Sequence, residues 1–517
     1  PADNEYLFPN RITNTVVEQM VVSGFVTGDV MELPAGPLGV VLGAEYREDK
    51  IRTDTDAGAT SGDFYGFSGD PGSNGERALT EGFFEIEIPV LADMTLAEEL
   101  TFNLAGRYTS ETNFGSEFTY RVQGQYAPVE WLRARATVGT SFRAPDLGQQ
   151  FGGRATGFAN PNDPCRVPGI AVPFGDYDND PTTPETREYQ ANLDPRDPDL
   201  IARCAAGGGP FNLPAVDPTE LGVLGLGTTN PVFAGAPTQV ASGSNPNLAP
   251  ETSQAISAGI VFEQPWFDSF DLRTSVTYYE ITVEDEIDQL TAATIAARCY
   301  NSVGLSDPQC GNITRETVDP VSGAQGEIVF IEALNQNLGD QVVEGIDYNL
   351  EFMTDLPADI GYNLTVRATQ SLTQTEEFVT ATGIEINDTL GEYGNPEWRL
   401  NITNQFERGD WRFTAQSRFL GSMIEDNTDP TDETTSFFNL CVQAGDTPCI
   451  QLDWLDDYWV HDASVTWSGE TTVVRAGVSN VFDEQPPITF NNGIGNIGGI
   501  GYDIYGRTFF VNVSKRF

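Results

Sequence analysis

The chain has 517 residues, of which 76 are Asp or Glu and 27 are Lys or Arg, so its formal net charge is −49 at pH 7. Such a charge repels nucleic-acid phosphates and excludes a DNA- or RNA-binding role. No run of about 18 apolar residues is present, which excludes a transmembrane helix. The acidic excess fits either a solvated surface in salty water or a loop or lumen field that attracts cations.

Apolar and polar residues alternate along most of the chain, in segments of about ten residues or more. In "LRARATVGTSF" (132–142), Leu132, Ala134 and Val138 alternate with Arg133 and Arg135. The segments "LTFNLAGRY" (100–108), "FDLRTSVTYY" (270–279) and "WRFTAQSRF" (411–419) repeat the pattern. We therefore predict about 15 strands. In chain order they are 14–32, 36–54, 78–92, 97–113, 117–130, 131–144, 247–266, 269–290, 327–355, 358–378, 396–409, 410–426, 458–469, 471–482 and 503–517.

Alternation fits either a soluble sandwich or a membrane barrel with a wet interior, and three features favour the barrel. Short turns such as "ERGDWRF" and "WSGETTVV" alternate with very long loops, and the strands exceed the usual length in soluble sheets. Aromatic residues cluster at strand ends, as an interfacial girdle requires. We predict an all-β fold: a transmembrane antiparallel β-barrel over residues 1–517, with a long extracellular loop insertion at 146–246. Single-chain bacterial barrels close with an even number of strands, so either one segment is miscounted or the chain is part of a larger barrel.

The six cysteines fall into three local pairs within loop-like segments, which is typical of disulfides formed in an oxidising compartment. The pairs are Cys165 with Cys204, Cys299 with Cys310, and Cys441 with Cys449. Free structural thiols are the alternative, whereas a zinc site would need tighter Cys and His clustering. Leu290, Ile295 and Cys299 have helical spacing, which predicts a short loop helix held by the second pair.

Few residues here could support catalysis or metal binding. The single histidine, His461, would have to serve any Ser-His-Asp or Cys-His mechanism, and a polar residue of the girdle or lumen is the better interpretation. We therefore predict that the protein is not an enzyme. Asp176, Asp178 and Asp180 could hold calcium, but the twelve-residue calcium-loop pattern fails at Pro181. A solvated acidic loop is the alternative, and we predict no other cofactor.

Five motifs in order resemble the TonB-dependent outer-membrane receptors of Gram-negative bacteria. They are "ATVGTSFRAPDLGQQF" (136–151), "NPNLAPETSQAISAGIVFE" (245–263), "VEGIDYNLEF" (343–352), "RAGVSNVFDEQPP" (475–487) and the closing "GRTFFVNVSKRF". The resemblance spans nearly the whole chain from about residue 14. The cysteine pairs of the first two loops resemble those of a branch whose outer loops are stapled by disulfides.

The resemblance implies parts that this sequence does not show: an N-terminal signal, a short box that contacts the inner-membrane energy-coupling system, a plug domain, and a barrel of 22 strands. We therefore interpret the chain as the carboxy-terminal part of a receptor barrel, without its plug. Phe517 would then close the sheet at the periplasmic rim and be read by the barrel-insertion machinery, or it would serve only as an interfacial anchor. Partners implied by the resemblance are outer-membrane lipid and lipopolysaccharide, the TonB–ExbB–ExbD system acting through the plug, and a small-molecule substrate.

Strand parity places a set of arginines on the face opposite the apolar one, where they would line the lumen and pair with plug or neighbouring-strand carboxylates. They are Arg107, Arg133, Arg135, Arg273, Arg412, Arg418 and Arg475. In the family, substrate contacts come from the outer loops, so we predict a ligand-facing surface over 146–246, 291–326, 427–457 and 488–502. It includes Tyr177, Phe211, Tyr300 and Phe490, whose rings could stack on a sugar or chelate or instead pack within the loops.

The leading functional hypothesis from this resemblance is a receptor for energy-coupled uptake of a scarce solute across the outer membrane. Iron chelates of siderophores, cobalamin and oligosaccharides all fit this architecture. The runner-up is a passive porin of 14 or 16 strands, complete in itself. A surface adhesin or scaffold on a barrel anchor is a third alternative.

Overall fold

The computed structural model describes residues 10–64, 69–70, 72–171, 189–219, 221, 238–318, 326–380, 383–424, 454–487 and 502–516. Its main feature is one 19-stranded sheet, in which 15 long strands form a continuous wall and four short strands belong to the connections. The wall strands are β1 Thr13–Leu33, β2 Gly36–Thr55, β3 Ser73–Met94, β4 Ala97–Glu111, β5 Gly115–Val129, β6 Leu132–Arg143, β9 Glu251–Glu263, β10 Phe270–Gln289, β12 Ile328–Leu356, β13 Ile360–Val379, β15 Trp398–Arg408, β16 Trp411–Leu420, β19 Tyr458–Ser468, β20 Thr472–Ser479 and β21 Thr508–Lys515. The predicted strand count is therefore confirmed.

Each wall strand pairs antiparallel with the next along the chain, from β1 to β21. Within the described part of the chain, β1 pairs only with β2, and β21 pairs only with β20. Among the described residues, the wall therefore has two edges, at β1 and at β21, that pair with no further strand. Phe517, which was predicted to close the sheet, lies outside the described residues.

The connections differ sharply between the two ends of the wall. At one end they are short and comprise residues 34–35, 95–96, 130–131, 264–269, 357–359, 409–410 and 469–471. At the other end only residues 112–114 form a short turn, and the remaining connections are long: 56–72, 144–250, 290–327, 380–397, 421–457 and 480–507. This asymmetry confirms the prediction from the sequence and is typical of outer-membrane barrels.

The two faces of the wall differ in polarity because successive side chains of a strand point to opposite sides. One row across four adjacent strands is apolar and consists of Leu104, Val122, Val138 and Ile256. The row beside it points the other way and consists of Asn103, Gln123, Thr137 and Ser257. We call these sides the apolar face and the polar face.

Aromatic side chains form bands near both ends of the apolar face. Close to the short turns, the rings of Trp131 and Trp266 lie 5.3 Å apart. Close to the long connections, the ring centroids of Phe419 and Trp459 lie 4.6 Å apart. Such paired bands suit the two interfaces of a bilayer, where amphipathic rings contact both lipid and headgroups.

The helices and remaining short strands all lie in the long connections. The helices are α1 Ala57–Ser61, α2 Leu147–Phe151, α3 Pro198–Ala206 and α4 Ala292–Asn301, with 3₁₀ turns at Gly169–Ala171, Val303–Leu305 and Pro308–Asn312. The short strands are β7 Arg154–Ala159, β8 Thr238–Gly243, β11 Ile313–Arg315, β14 Ile384–Asp388, and the separate pair β17 Met423–Ile424 and β18 Trp454–Leu455. None of the helices in the described ranges is long and apolar enough to cross a membrane.

Candidate functional site

The connections β6–β9 and β10–β12 fold together into one unit, which we call the loop subdomain. It comprises the described residues of 144–250 and 290–327 together with the first residues of β12. Strand β8 pairs with β7 and also, in parallel, with β12, so the wall strand continues beyond the membrane band as a support for the loops. The largest buried apolar cluster of the described residues lies here, and Ile295 and Ile331 are fully buried in it. The described part of the predicted 146–246 insertion is thus folded around its own core.

Two disulfides lie within this core. The bonds Cys165–Cys204 and Cys299–Cys310 are both formed, as the local pairing predicted, while Cys441 and Cys449 lie outside the described residues. The predicted loop helix is also confirmed as α4, whose N-cap Thr291 accepts a hydrogen bond from the backbone of Thr294. Both cysteine pairs therefore connect helices to the loop core.

A buried arginine joins the two connections. Arg315 donates to Asp163, 152 residues away, at 2.6 Å, and to the hydroxyl of Tyr300 at 2.9 Å. The Arg315 side chain is 0% exposed, and its guanidinium also lies over the Tyr300 ring at 5.1 Å. A buried cation needs such a set of partners, because its loss of hydration is otherwise uncompensated. Arg315 therefore fixes how the two loops sit on each other.

A second arginine closes the segment around the first disulfide. Arg196 forms a buried ion pair with Asp194 at 2.6 Å and donates to the carbonyl oxygens of Cys165 and Pro218. The guanidinium hydrogen bonds, together with one from the hydroxyl of Tyr189, lower the pKa of Asp194 to about 2. This carboxylate therefore stays charged at neutral pH.

The predicted ligand-facing aromatic residues have different positions. Phe211 is 41% exposed and its ring packs over Gly311, so one face of it is available. Tyr300 is 1% exposed, and here the prediction of a ligand-facing ring is corrected: the ring is enclosed by the loop core and by Arg315. The alternative interpretation, packing within the loops, holds for this residue. Tyr177 and Phe490 lie outside the described residues.

All seven predicted arginines lie on the polar face by strand register. Four of them pair with carboxylates of an adjacent strand: Arg107 with Glu81, Arg273 with Glu263, Arg412 with Glu407, and Arg418 with Asp462. Arg133 on β6 pairs with Glu99 on β4, two strands away. Arg135 donates instead to the hydroxyl of Thr277, and Arg475 to that of Ser464. Carboxylates of neighbouring strands, one of the two partner types predicted, therefore pair with four of the seven arginines.

Other predicted sites give little support for chemistry. His461 lies on the apolar face, where its Nδ1 is 2.8 Å from the hydroxyl of Ser417 and its ring stacks on Trp459. That position matches the girdle interpretation. The residues proposed for calcium, Asp176, Asp178 and Asp180, lie outside the described residues. Within the described ranges, no group of three or more His, Cys, Asp or Glu side chains is arranged to hold a metal ion.

Several residues that organise the site were missed in the sequence. Arg367 and Arg399 also lie on the polar face, and strand parity in "YNLTVRATQ" would have found the first of them. Arg315 and Asp163 carry no local signal, because their partnership spans two loops. Only the folded loop subdomain reveals that pair.

The wall combines long antiparallel strands, an apolar outer face with aromatic bands, a polar inner face, and large folded loops at one end. These features define an outer-membrane β-barrel protein. The family described as "TonB dependent receptor-like, beta-barrel" matches residues 3–481. The chain belongs to this family, whose members reside in the outer membrane of Gram-negative bacteria. A search of curated protein sequences finds no match.

Solved structures share the fold at low sequence identity. The siderophore receptor PirA from Acinetobacter baumannii matches with a TM-score of 0.56 and 15% identity, over 97% of this chain and 55% of that one. A mutant ferric enterobactin receptor (PfeA) from Pseudomonas aeruginosa, in complex with enterobactin, matches with a TM-score of 0.55 and 15% identity, over 97% and 54%. A double mutant of the Serratia marcescens hemophore receptor HasR, in complex with HasA and heme, matches with a TM-score of 0.50 and 14% identity, over 98% of this chain and 60% of that one. The chain thus spans little more than half the length of these proteins.

Proposed function

We propose that the protein takes up a scarce solute across the outer membrane and that the TonB–ExbB–ExbD system supplies the energy. The observation that carries this proposal is the wall itself, with its apolar outer face and its ion-paired polar face, in a chain of the TonB-dependent receptor family. The folded loop subdomain supports it further, since a rigid surface at the outer end of a barrel can bind a solute before passage.

We further propose that the two edges of the wall pair with additional strands, in a barrel that also encloses a plug. The edges at β1 and β21 would each expose a row of unpaired N–H and C=O groups to lipid, which a bilayer does not tolerate. The passive porin of 14 or 16 strands, complete in itself, is less well supported for the same reason. Seven further strands would complete a 22-stranded barrel, a size that leaves room for a plug in the lumen.

For the substrate, we propose an iron chelate ahead of cobalamin or an oligosaccharide. Support comes from the proteins of similar fold, two of which are described as siderophore or ferric enterobactin receptors and a third as a hemophore receptor in complex with heme. At 14–15% identity this support concerns the architecture, so the substrate must be tested directly.

The test is uptake by cells that carry or lack the gene. Radioactive iron would be supplied as several siderophore chelates, with labelled cobalamin and an oligosaccharide as the other arms, with and without a protonophore. We expect one solute to accumulate only in cells with the gene and only when the inner membrane is energised. Uptake that survives the protonophore, or a steady conductance of the purified full-length protein in a planar bilayer, would contradict energy coupling and favour the porin.

A further inference from the structure

Three arginines surround Asn401 on the polar face of the wall. Arg367 on β13 and Arg418 on β16 lie directly opposite Asn401, on either side of it. Arg399 lies two residues before Asn401 on β15 and is a diagonal neighbour of both. Diagonal neighbours in an antiparallel sheet are about 7–8 Å apart, so three guanidinium groups share one patch. We call this patch the arginine triad.

Only one arginine of the triad forms an ion pair with a carboxylate of the described residues. Arg418 has one carboxylate partner, Asp462, at 3.4 Å, and Asp462 also accepts the backbone N–H of Asn480. Arg399 donates to the carbonyl oxygen of Gly394, and Arg367 forms no ion pair with a carboxylate of the described residues.

Two further carboxylates of the polar face lie near the triad. Asp347 and Glu351 on β12 are diagonal neighbours of Arg367, and Asp347 accepts a hydrogen bond from the hydroxyl of Thr369. Neither of them forms an ion pair with an arginine of the triad. Adjacent like charges weaken a sheet, so such a cluster calls for a compensating role.

Arginines near the short turns show the contrast. Arg412 on β16, the same strand as Arg418, pairs with Glu407 at 2.5 Å. Arg273 pairs with Glu263 at 3.3 Å. These cations are neutralised by ion pairs within the sheet, whereas Arg367 and Arg399 form no ion pair with a described carboxylate.

The triad also lies toward the outer end of the wall. Arg399 immediately follows Trp398, and Arg418 immediately precedes Phe419, and both aromatic residues lie on the apolar face near the long connections. The guanidinium groups are therefore level with the outer aromatic band, on its inner side. A solute that enters from outside would meet them early.

We propose that the arginine triad binds an anion that carries two or three carboxylate or phosphate groups. Guanidinium groups bind such oxygens through short, paired hydrogen bonds, and three of them around one centre suit a branched polyanion better than a single carboxylate. Asn401 supplies an amide between them that can donate a further hydrogen bond. The inference rests on the proposed function only in taking the polar face to line the path of the solute.

The test is calorimetric titration of the purified full-length protein with benzene-1,3,5-tricarboxylate at low salt. The uncharged tricarboxamide of the same shape is the control ligand. Because Arg367 forms no ion pair with a described carboxylate, Arg367→Gln removes a charge without breaking an ion pair, and we expect it to weaken tricarboxylate binding about tenfold. Adding Arg399→Gln should weaken it by about a hundredfold in total. Arg412→Gln, on the same face but at a neutralised site, is the matched control and should leave the affinity within about twofold.

The proposal is overturned if the wild-type protein binds the tricarboxamide as well as the tricarboxylate, or binds neither. It is equally overturned if Arg367→Gln binds the tricarboxylate normally, or if Arg412→Gln weakens binding as much. Because binding is measured without energy coupling, this result is independent of the uptake test. Binding at the triad without energised uptake would contradict the proposed function alone, and energised uptake without binding at the triad would contradict this inference alone.

Discussion

Replacing Arg315 by Met should release the loop subdomain from its folded state. The Arg315 side chain is 0% exposed and Asp163 is 11% exposed, so the substitution leaves a largely buried carboxylate without its cation. It also leaves the Tyr300 hydroxyl and the Gly326 carbonyl oxygen without their donor. Breaking a buried ion pair by removing one partner costs about 3–5 kcal/mol, and we expect the free energy of local unfolding to fall by about that amount.

Hydrogen exchange measured by mass spectrometry would detect this loss. A change of about 4 kcal/mol corresponds to about a thousandfold faster exchange, confined to the amides of α4 and the start of β12, while the wall strands keep their protection. Adding Asp163→Asn to Arg315→Met should restore part of the protection, because no unpaired charge then remains. Arg154→Gln, which breaks the exposed Arg154–Glu332 pair of the same subdomain, is the control and should cost under about 1 kcal/mol. Unchanged exchange in Arg315→Met would refute the assignment of Arg315 as the link between the loops.

Three further predictions concern the loops and the wall. The pKa of Asp194 is lowered to about 2 from 3.8, so its ion pair with Arg196 adds about 2 kcal/mol of local stability above pH 4. This stability is lost as the pH falls through 2. Hydrogen exchange of residues 189–206 should therefore rise over that range in the wild type and much less in Asp194→Asn. Reducing Cys165–Cys204, which closes a loop of 39 residues, should lower local stability by about 2–4 kcal/mol. This loss would be seen as new protease cleavage between the two cysteines. Unchanged resistance to the protease would contradict the prediction. In the wall, a methyl group at Gly259 would lie 2.8 Å from a carbonyl oxygen of the adjacent strand, so Gly259→Ala should cost about 1–3 kcal/mol. The substitution should lower the temperature at which the barrel loses its heat-resistant migration in gels. An unchanged temperature would show that the strand can shift.

The wall could be predicted from the sequence because its pattern is local. In a strand with one apolar and one polar face, every second residue reports its own environment, so "LRARATVGTSF" indicates strand, face and approximate ends without knowledge of any partner. The observed strand β6, Leu132–Arg143, differs from the predicted 131–144 by one residue at each end. The same parity placed the seven arginines on one face, and it would also have placed Arg367 there.

The loop subdomain could not be predicted in the same way, because its stability comes from contacts between distant residues. Tyr300 was predicted to face the ligand or to pack within the loops, and the sequence could not decide between the two. In the structure Arg315 covers its ring, and Arg203 donates to its backbone carbonyl oxygen from the other connection. No period marks such contacts, and Asp163 and Arg315 look like any solvated charges in the sequence. Only the disulfides gave a local signal, since paired cysteines a short distance apart restrict the chain wherever they lie.

The loop subdomain has its own hydrophobic core, in which the two disulfides and the buried ion pair lie. A barrel wall places its apolar side chains toward lipid, so the loops above the membrane have no apolar surface of the wall to pack against. The loops must therefore build a core of their own. The two disulfides add to its stability by restricting the unfolded loops, and the Arg315–Asp163 pair fixes one arrangement of the folded ones. A surface held this way presents fixed rather than adaptable contacts, which would reduce the entropy cost of binding in the proposed capture of a dilute solute.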